Sequence, residues 1–213
     1  MTDVTTATAP SPTGFRLRTP SDWVDFSIAD EASENRVAGE VWTRGRDAGL
    51  SEIQAGAFTE SVRRSVRQAR RSGAVHAAGT FQLYEDGPLT ATVLVSMVTP
   101  PATGDLLGAL MAVARPETAA GTWRRVTTAR INGIGTVGRV YGIQTVVQDE
   151  ATMRCAVMHT VVPLPGSANV LVVTGSSPNI AEADELFELF DTITGTLELT
   201  ADELVLAPST LAP

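Results

Sequence analysis

An α+β fold is predicted, an α/β/α sandwich with a mostly antiparallel sheet and helices packed on its faces. Three observations carry the prediction. Segments 75–84, 89–98, 123–131, 137–147, 153–162 and 170–174 are rich in β-branched and aromatic residues, and several lie close enough for a meander. The elements run β, α, β, α, β, α, with strands grouped in blocks. Apolar stripes of helical period stand near residues 51–72 and again at 177–197.

The first 13 residues are rich in Thr, Ala, Pro and Ser and are expected to form a disordered tail. A single domain is expected over 14–200, followed by a second tail over 201–213. Strands are expected at 15–18 and 23–28, separated by the turn Thr19-Pro20-Ser21-Asp22. A helix over 33–47 runs through Val37, Val41 and Trp42. Ser51-Glu52-Ile53-Gln54 is a capping box that opens a second helix reaching Ser72, with Gly73 beyond its end. At 100° per residue Phe58, Val62, Val66 and Ala69 share one sector of it; Arg63, Arg64, Arg67, Arg70 and Arg71 fall opposite.

Glu85-Asp86-Gly87-Pro88 is a turn between two strands, and a short helix over 105–114 stops before Pro116. In the closing helix Ser177 is expected as the cap and Pro178 in the first turn. Ile180, Ala183, Phe187, Phe190 and Leu197 form its apolar stripe, while Asp184, Glu185, Glu188 and Asp191 face away.

Composition narrows the function. With 43% apolar and 19% charged residues over 213 positions, the chain has the balance of an ordinary globular domain with enough length for a substantial core. A net charge of −8 argues against sequence-independent nucleic-acid binding, which rests on neutralising phosphates. All 16 basic residues are Arg, which together with abundant Ala, Gly and Thr reads as the codon bias of a GC-rich bacterium. Cys155 is the only cysteine, so no intrachain disulfide forms and a reducing cytosol is favoured. The N-terminus has neither a basic nor an apolar leader region, and the longest apolar run, 106–114, is too short for a bilayer. A cytoplasmic protein without membrane insertion is expected.

Groups that could carry chemistry are sparse. Gly133-Ile134-Gly135-Thr136-Val137-Gly138 matches G-x-G-x-x-G, but a strand rather than a helix follows it. Glycines at a hairpin turn are the expected reading. Cys155 and His159 could be a nucleophile and its base, yet four residues along a strand separate them by roughly 13 Å. Cys155 therefore reads as a small core residue. His76, the only other histidine, could approach His159 across the sheet, but so few ligands make a poor metal site. The carboxylate pairs Asp30-Glu31 and Asp149-Glu150 fall where turns are expected. No catalytic residue, cofactor or metal is expected. The candidate binding residues are Arg63, Arg64, Arg67, Arg70 and Arg71, a basic face on an acidic protein that would suit an acidic protein partner. A solvated helix face is the competing account. The closing helix is acidic, so the two helices could also pair within the fold or between protomers of a homo-oligomer.

Several of these features together resemble the PsbP-like superfamily, in particular its bacterial LpqN-like branch. They are Pro20-Ser21-Asp22-Trp23 in the early strand region, two helices before a meander, an apolar strand ending in Thr174-Gly175-Ser176-Ser177-Pro178, and a closing helix reading Glu188-Leu189-Phe190-Asp191-Thr192-Ile193-Thr194-Gly195-Thr196-Leu197. The resemblance covers about residues 14–200. It implies an α/β/α sandwich without enzymatic activity, in a group of accessory subunits, chaperones, GTPase-binding factors and envelope lipoproteins. The chain departs from the lipoprotein type in having no signal sequence and no N-terminal Cys for acylation. That shifts the expectation to a cytoplasmic adaptor or chaperone-like protein tied to a specialised secretion system. A small-ligand binder, or a structural subunit of a larger assembly, is the alternative.

Overall fold

The computed structural model describes residues 14–26, 31–71, 73–84, 87–99, 120–148 and 151–200. Both tails and the helix expected at 105–114 lie outside the described residues, as do Asp30, Asp149 and Glu150. The strands are β1 Gly14–Arg16, β2 Val24–Phe26, β3 Ala74–Tyr84, β4 Gly87–Val98, β5 Trp123–Ile131, β6 Gly135–Gln148, β7 Ala151–Pro163, β8 Val170–Ser177 and β9 Glu198–Thr200. The helices are α1 Glu31–Asp47, α2 Glu52–Arg71 and α3 Ala183–Gly195, with a 3₁₀ turn at Ile180–Glu182 leading into α3.

Seven strands form one sheet in the order β2-β3-β4-β8-β7-β6-β5, and β1 pairs with β9 in a separate ribbon. Every neighbouring pair is antiparallel. Helices pack against both faces, so the molecule is the α+β sandwich that strand grouping and helix spacing predict. The two N-terminal strands, although separated by a turn, do not pair with each other: β2 joins β3, and Gly14 of β1 lies opposite Thr200 of β9.

Alternation along the strands explains why two helical layers are needed. In β8, Leu171 and Val173 point to one face and Val170 and Val172 to the other, and all four are buried. On the first face Val93, Val95, Met158 and Val173 meet Phe187, Phe190 and Ile193 of α3 and Phe15 of the ribbon. Helix α3 rides directly over β8, because a Cβ at Gly175 would stand 2.3 Å from Phe190 Cγ. On the second face Val24 and Ala77 pack under Val37 and Val41 of α1 and Val66 and Ala69 of α2. The apolar sector of α2 read from the sequence is the one that faces the sheet.

Local signals translate directly. The Ser51 amide donates to Gln54 Oε1 at 3.0 Å, and the Gln54 amide donates back to Ser51 Oγ at 3.3 Å, a closed capping box. Gly133 (φ +75°) and Gly135 (φ +107°) make the turn between β5 and β6, so the G-x-G-x-x-G match is a hairpin and its third glycine sits inside a strand. The closing helix corrects one expectation. Ser177 does not cap it; strand β8 runs through Ser177, whose hydroxyl donates to the Thr90 carbonyl at 2.6 Å and accepts the Asn179 amide at 3.1 Å. Asn179 then receives the Thr90 amide and donates to the Pro88 carbonyl, fixing the chain against β4 before α3 begins at Ala183. No helix among the described residues is long and apolar enough to cross a membrane.

Replacing Gly175 by Ala is expected to cost about 1–3 kcal/mol, since the buried Phe190 ring has no room to retreat. Urea unfolding at neutral pH measures it; an unchanged midpoint would show that the ring is free to move.

Candidate functional site

The five arginines of α2 do not form one open face. Glu34 of α1 is 7% exposed, and a carboxylate so buried needs cationic partners. Arg70 Nη2 reaches its Oε2 at 2.8 Å, Arg67 Nε stands 3.5 Å from Oε1, and Arg63 Nη1 4.0 Å from Oε1. Arg63 also donates to Asn35 Oδ1 at 2.8 Å, and Arg67 to Glu60 Oε1 at 2.9 Å. Three of the predicted binding residues therefore join α2 to α1. Arg64 and Arg71 are exposed. The acidic helix α3 packs on the opposite face of the sheet, so α2 and α3 do not pair within the fold. Its Asp191 instead takes Arg139 Nη1 at 2.5 Å; that arginine is 6% exposed and also donates to Thr160 Oγ1 at 3.2 Å.

Between α2 and the sheet lies a cleft of about 980 Å³. Phe58 of α2 and Phe81 of β3, with ring centroids 4.0 Å apart, stand on its wall, and Leu94, Met153 and Cys155 continue the apolar lining. Thr92 Oγ1 and Ser176 Oγ, 2.9 Å apart, supply a hydroxyl pair that can donate or accept. Arg44, Arg64, Arg67 and Arg71 line it with Glu60 as the acidic counterpart, which leaves the cleft cationic on a protein of net charge −8. An apolar interior with basic residues at its margin suits a molecule that is apolar and acid-bearing at once.

The candidate chemical groups do not assemble. Cys155 lines this cleft, but burial pushes its thiol up from the ordinary value, away from the thiolate a nucleophile requires. Register places His76 opposite Val95 and His159 opposite Thr174, which puts the two histidines on opposite faces and excludes their approach across the sheet. His159 Nδ1 lies 3.0 Å from Thr174 Oγ1. Burial, reinforced by the Arg124 guanidinium, lowers its pKa from 6.5 to about 4. His76 is lowered by burial too, with Asp25 Oδ1 at 3.5 Å pulling the other way. Among the described residues no group of three or more His, Cys, Asp or Glu could hold a metal ion.

Sequence reasoning missed Glu34 and Arg44. The signal for Glu34 was present: it lies three residues before Val37 and seven before Val41, on the apolar side of α1, where an acid needs a partner. Arg44, whose guanidinium donates to the Asp22 carbonyl, comes to the cleft only through the α1–α2 packing.

The chain matches no protein-family model and no curated protein. Among solved structures, the crystal structure of LpqN, involved in cell envelope biogenesis of Mycobacterium tuberculosis, is similar with a TM-score of 0.44 and 14% sequence identity, over 90% of this chain and 85% of that one. That is a distant likeness of fold.

Two predictions test this geometry. Glu34→Gln leaves three guanidiniums facing one another and is expected to cost about 1–2 kcal/mol, less than a fully buried pair because the arginines reach water. An Arg67→Glu, Arg70→Glu change breaks the same clamp and lowers the melting temperature; calorimetry measures both variants. The second concerns pH. With a folded pKa of about 4 against 6.5 for the free side chain, the unfolded chain binds the His159 proton first as pH falls. The stability tied to neutral His159 is intact above 6.5, is lost as pH drops from 6.5 to about 4, and is constant below. The loss is about 3 kcal/mol, from the shift between these two values. His159→Gln should flatten that part of the stability–pH curve relative to the unchanged chain.

Proposed function

We propose that this chain is a non-enzymatic binding module that holds an acidic, apolar-flanked segment of a partner protein in the cleft between α2 and the sheet. The carrying observation is the combination of an apolar lining at Phe58, Phe81 and Leu94 with arginines at Arg44, Arg64 and Arg71. The role this suits is that of a cytoplasmic adaptor or chaperone-like accessory protein tied to a specialised secretion system. The non-enzymatic character implied by the PsbP-like resemblance of its sequence motifs agrees with it. Burial raises the Cys155 thiol from its ordinary value, which disfavours the thiolate a nucleophile requires.

A small-ligand reading is favoured by one specific observation. At about 980 Å³ the cleft is within the range that encloses a small molecule, and Cys155 is on its wall. A subunit interface built on α2 has less support, because Arg63, Arg67 and Arg70 are engaged with Glu34.

Thr92→Trp places an indole in the cleft, and Arg71→Glu reverses a charge at its margin. Capture from host lysate at low salt is expected to yield a stoichiometric protein with the unchanged chain and to lose it with either variant, while far-ultraviolet dichroism stays the same. The captured partner should also slow the reaction of Cys155, the chain's single thiol, with a disulfide reagent. Equal capture by Thr92→Trp would overturn the cleft as the partner site. If no protein is captured and a small molecule both raises the melting temperature and shields Cys155, the small-ligand reading replaces it.

A further inference from the structure

The two edges of the seven-stranded sheet are unequal. Strand β2 has three residues; β5 has nine, and no strand among the described residues pairs with its outer side. A long free edge presents unpaired N–H and C=O groups along its length, a template for another strand. Six of the nine residues are exposed, including Trp123 (42%) on the α3 face and Val126 (48%) on the other.

This edge is held in place. All nine residues are in register with β6. Opposite Arg124 stands Gly142 with φ +154°, where a Cβ would meet the Trp123 carbonyl oxygen at 2.0 Å, so the β5 backbone presses against β6 where only glycine leaves room. Trp123 packs edge-on against Tyr141 and Phe187, each at 5.9 Å between centroids. Arg125 lies over the Tyr141 ring at 6.0 Å and donates to its hydroxyl at 3.3 Å. Binding to such an edge would order little that is not ordered already.

Charge selects the occupant. Strand β5 carries Arg124, Arg125 and Arg130, and neither it nor residues 120–122 and 132–134 contain an acid. In the full-length antiparallel pairing of two copies about Thr127, Arg124 would stand opposite Arg130 at both ends. Like charges directly opposite destabilise a strand pair, so this register of self-pairing is disfavoured, whereas an acidic strand would meet opposite charges at Arg125 and Arg130.

We infer that β5 is a docking edge for an acidic, extended segment of a partner protein, which adds an eighth strand to the sheet. Its Asp or Glu side chains would meet Arg125 and Arg130, and its β-branched residues would lie beside Trp123 and Val126. The site is separate from the cleft under α2 and does not depend on it.

The probe is a fluorescein-labelled peptide, Thr-Glu-Thr-Val-Thr-Val-Glu-Thr-Val, whose two acids come opposite Arg130 and Arg125 and whose valines 6 and 9 come opposite Val126 and Trp123 in antiparallel pairing, with a control in which Lys replaces each Glu. Anisotropy is expected to show binding of the acidic peptide alone, weakened by about tenfold or more in Arg125→Glu, Arg130→Glu. Arg130→Glu by itself, which leaves the Arg125–Tyr141 contact intact, should weaken it in the same direction. Hydrogen exchange should slow at residues 123–131 and not in α2. Equal binding of the Lys peptide, or no binding of the acidic one, overturns the inference. Protection confined to α2 with shielding of Cys155 also overturns it and leaves the cleft reading standing. Concentration-dependent protection of 123–131 without peptide would assign the edge to a second copy of this chain instead.

Discussion

The central strands β4, β8 and β7 are apolar on both sides, and the rest of the molecule answers to that constraint. Val93 and Val173 face one way, Leu94 and Val172 the other, so neither face of the sheet can be left to water. A layer of α1 and α2 covers one face and α3 with the β1–β9 ribbon the other. The absence of a side chain at Gly175 lets α3 approach β8 closely enough to bury Phe190, and the hydrogen bonds linking Ser177 and Asn179 to β4 aim the chain onto that track. Side chains therefore fix where each helix sits; helix propensity alone would not.

The arginines show one residue type used in different ways. Arg63, Arg67 and Arg70 are spent on a buried carboxylate, and Arg139 on an exposed one. Arg64 and Arg71 border an apolar cleft, and Arg125 and Arg130 stand on β5, which has no outer neighbour among the described residues. A net charge of −8 hides this arrangement; four of the 24 acids lie on α3, across the sheet from α2. Local field, not the sum, decides what such a surface attracts.

Much of the fold was legible because its signals are local. The capping box at Ser51 and Gln54, the alternation from Trp123 to Pro163 and the helical stripe of Phe187 and Phe190 each depend on residues a few positions apart. What was not legible depends on distant pairings. Phe15 meets the α3 layer only because β1 finds β9 at the other end of the domain. Ser177 looks like a helix cap from its neighbours, yet its hydroxyl is claimed by Thr90, 87 positions away. The candidate site divides the same way. Its five arginines could be read on one helix face, but which of them Glu34 takes is settled by how α1 crosses α2. The cleft itself joins α1, α2, β2, β3, β4, β6, β7 and β8, and no short stretch of sequence contains it.

The β1–β9 ribbon has a topological consequence. Gly14 and Thr200 are direct partners across it, so the two ends of the described domain stand only about 5 Å apart. A short linker could join them, and new ends could be opened in the exposed turn around Asn132 and Gly133 without unmaking any layer. A domain built this way can be permuted, or carried as an insertion inside a longer host chain, entering and leaving through a single narrow doorway.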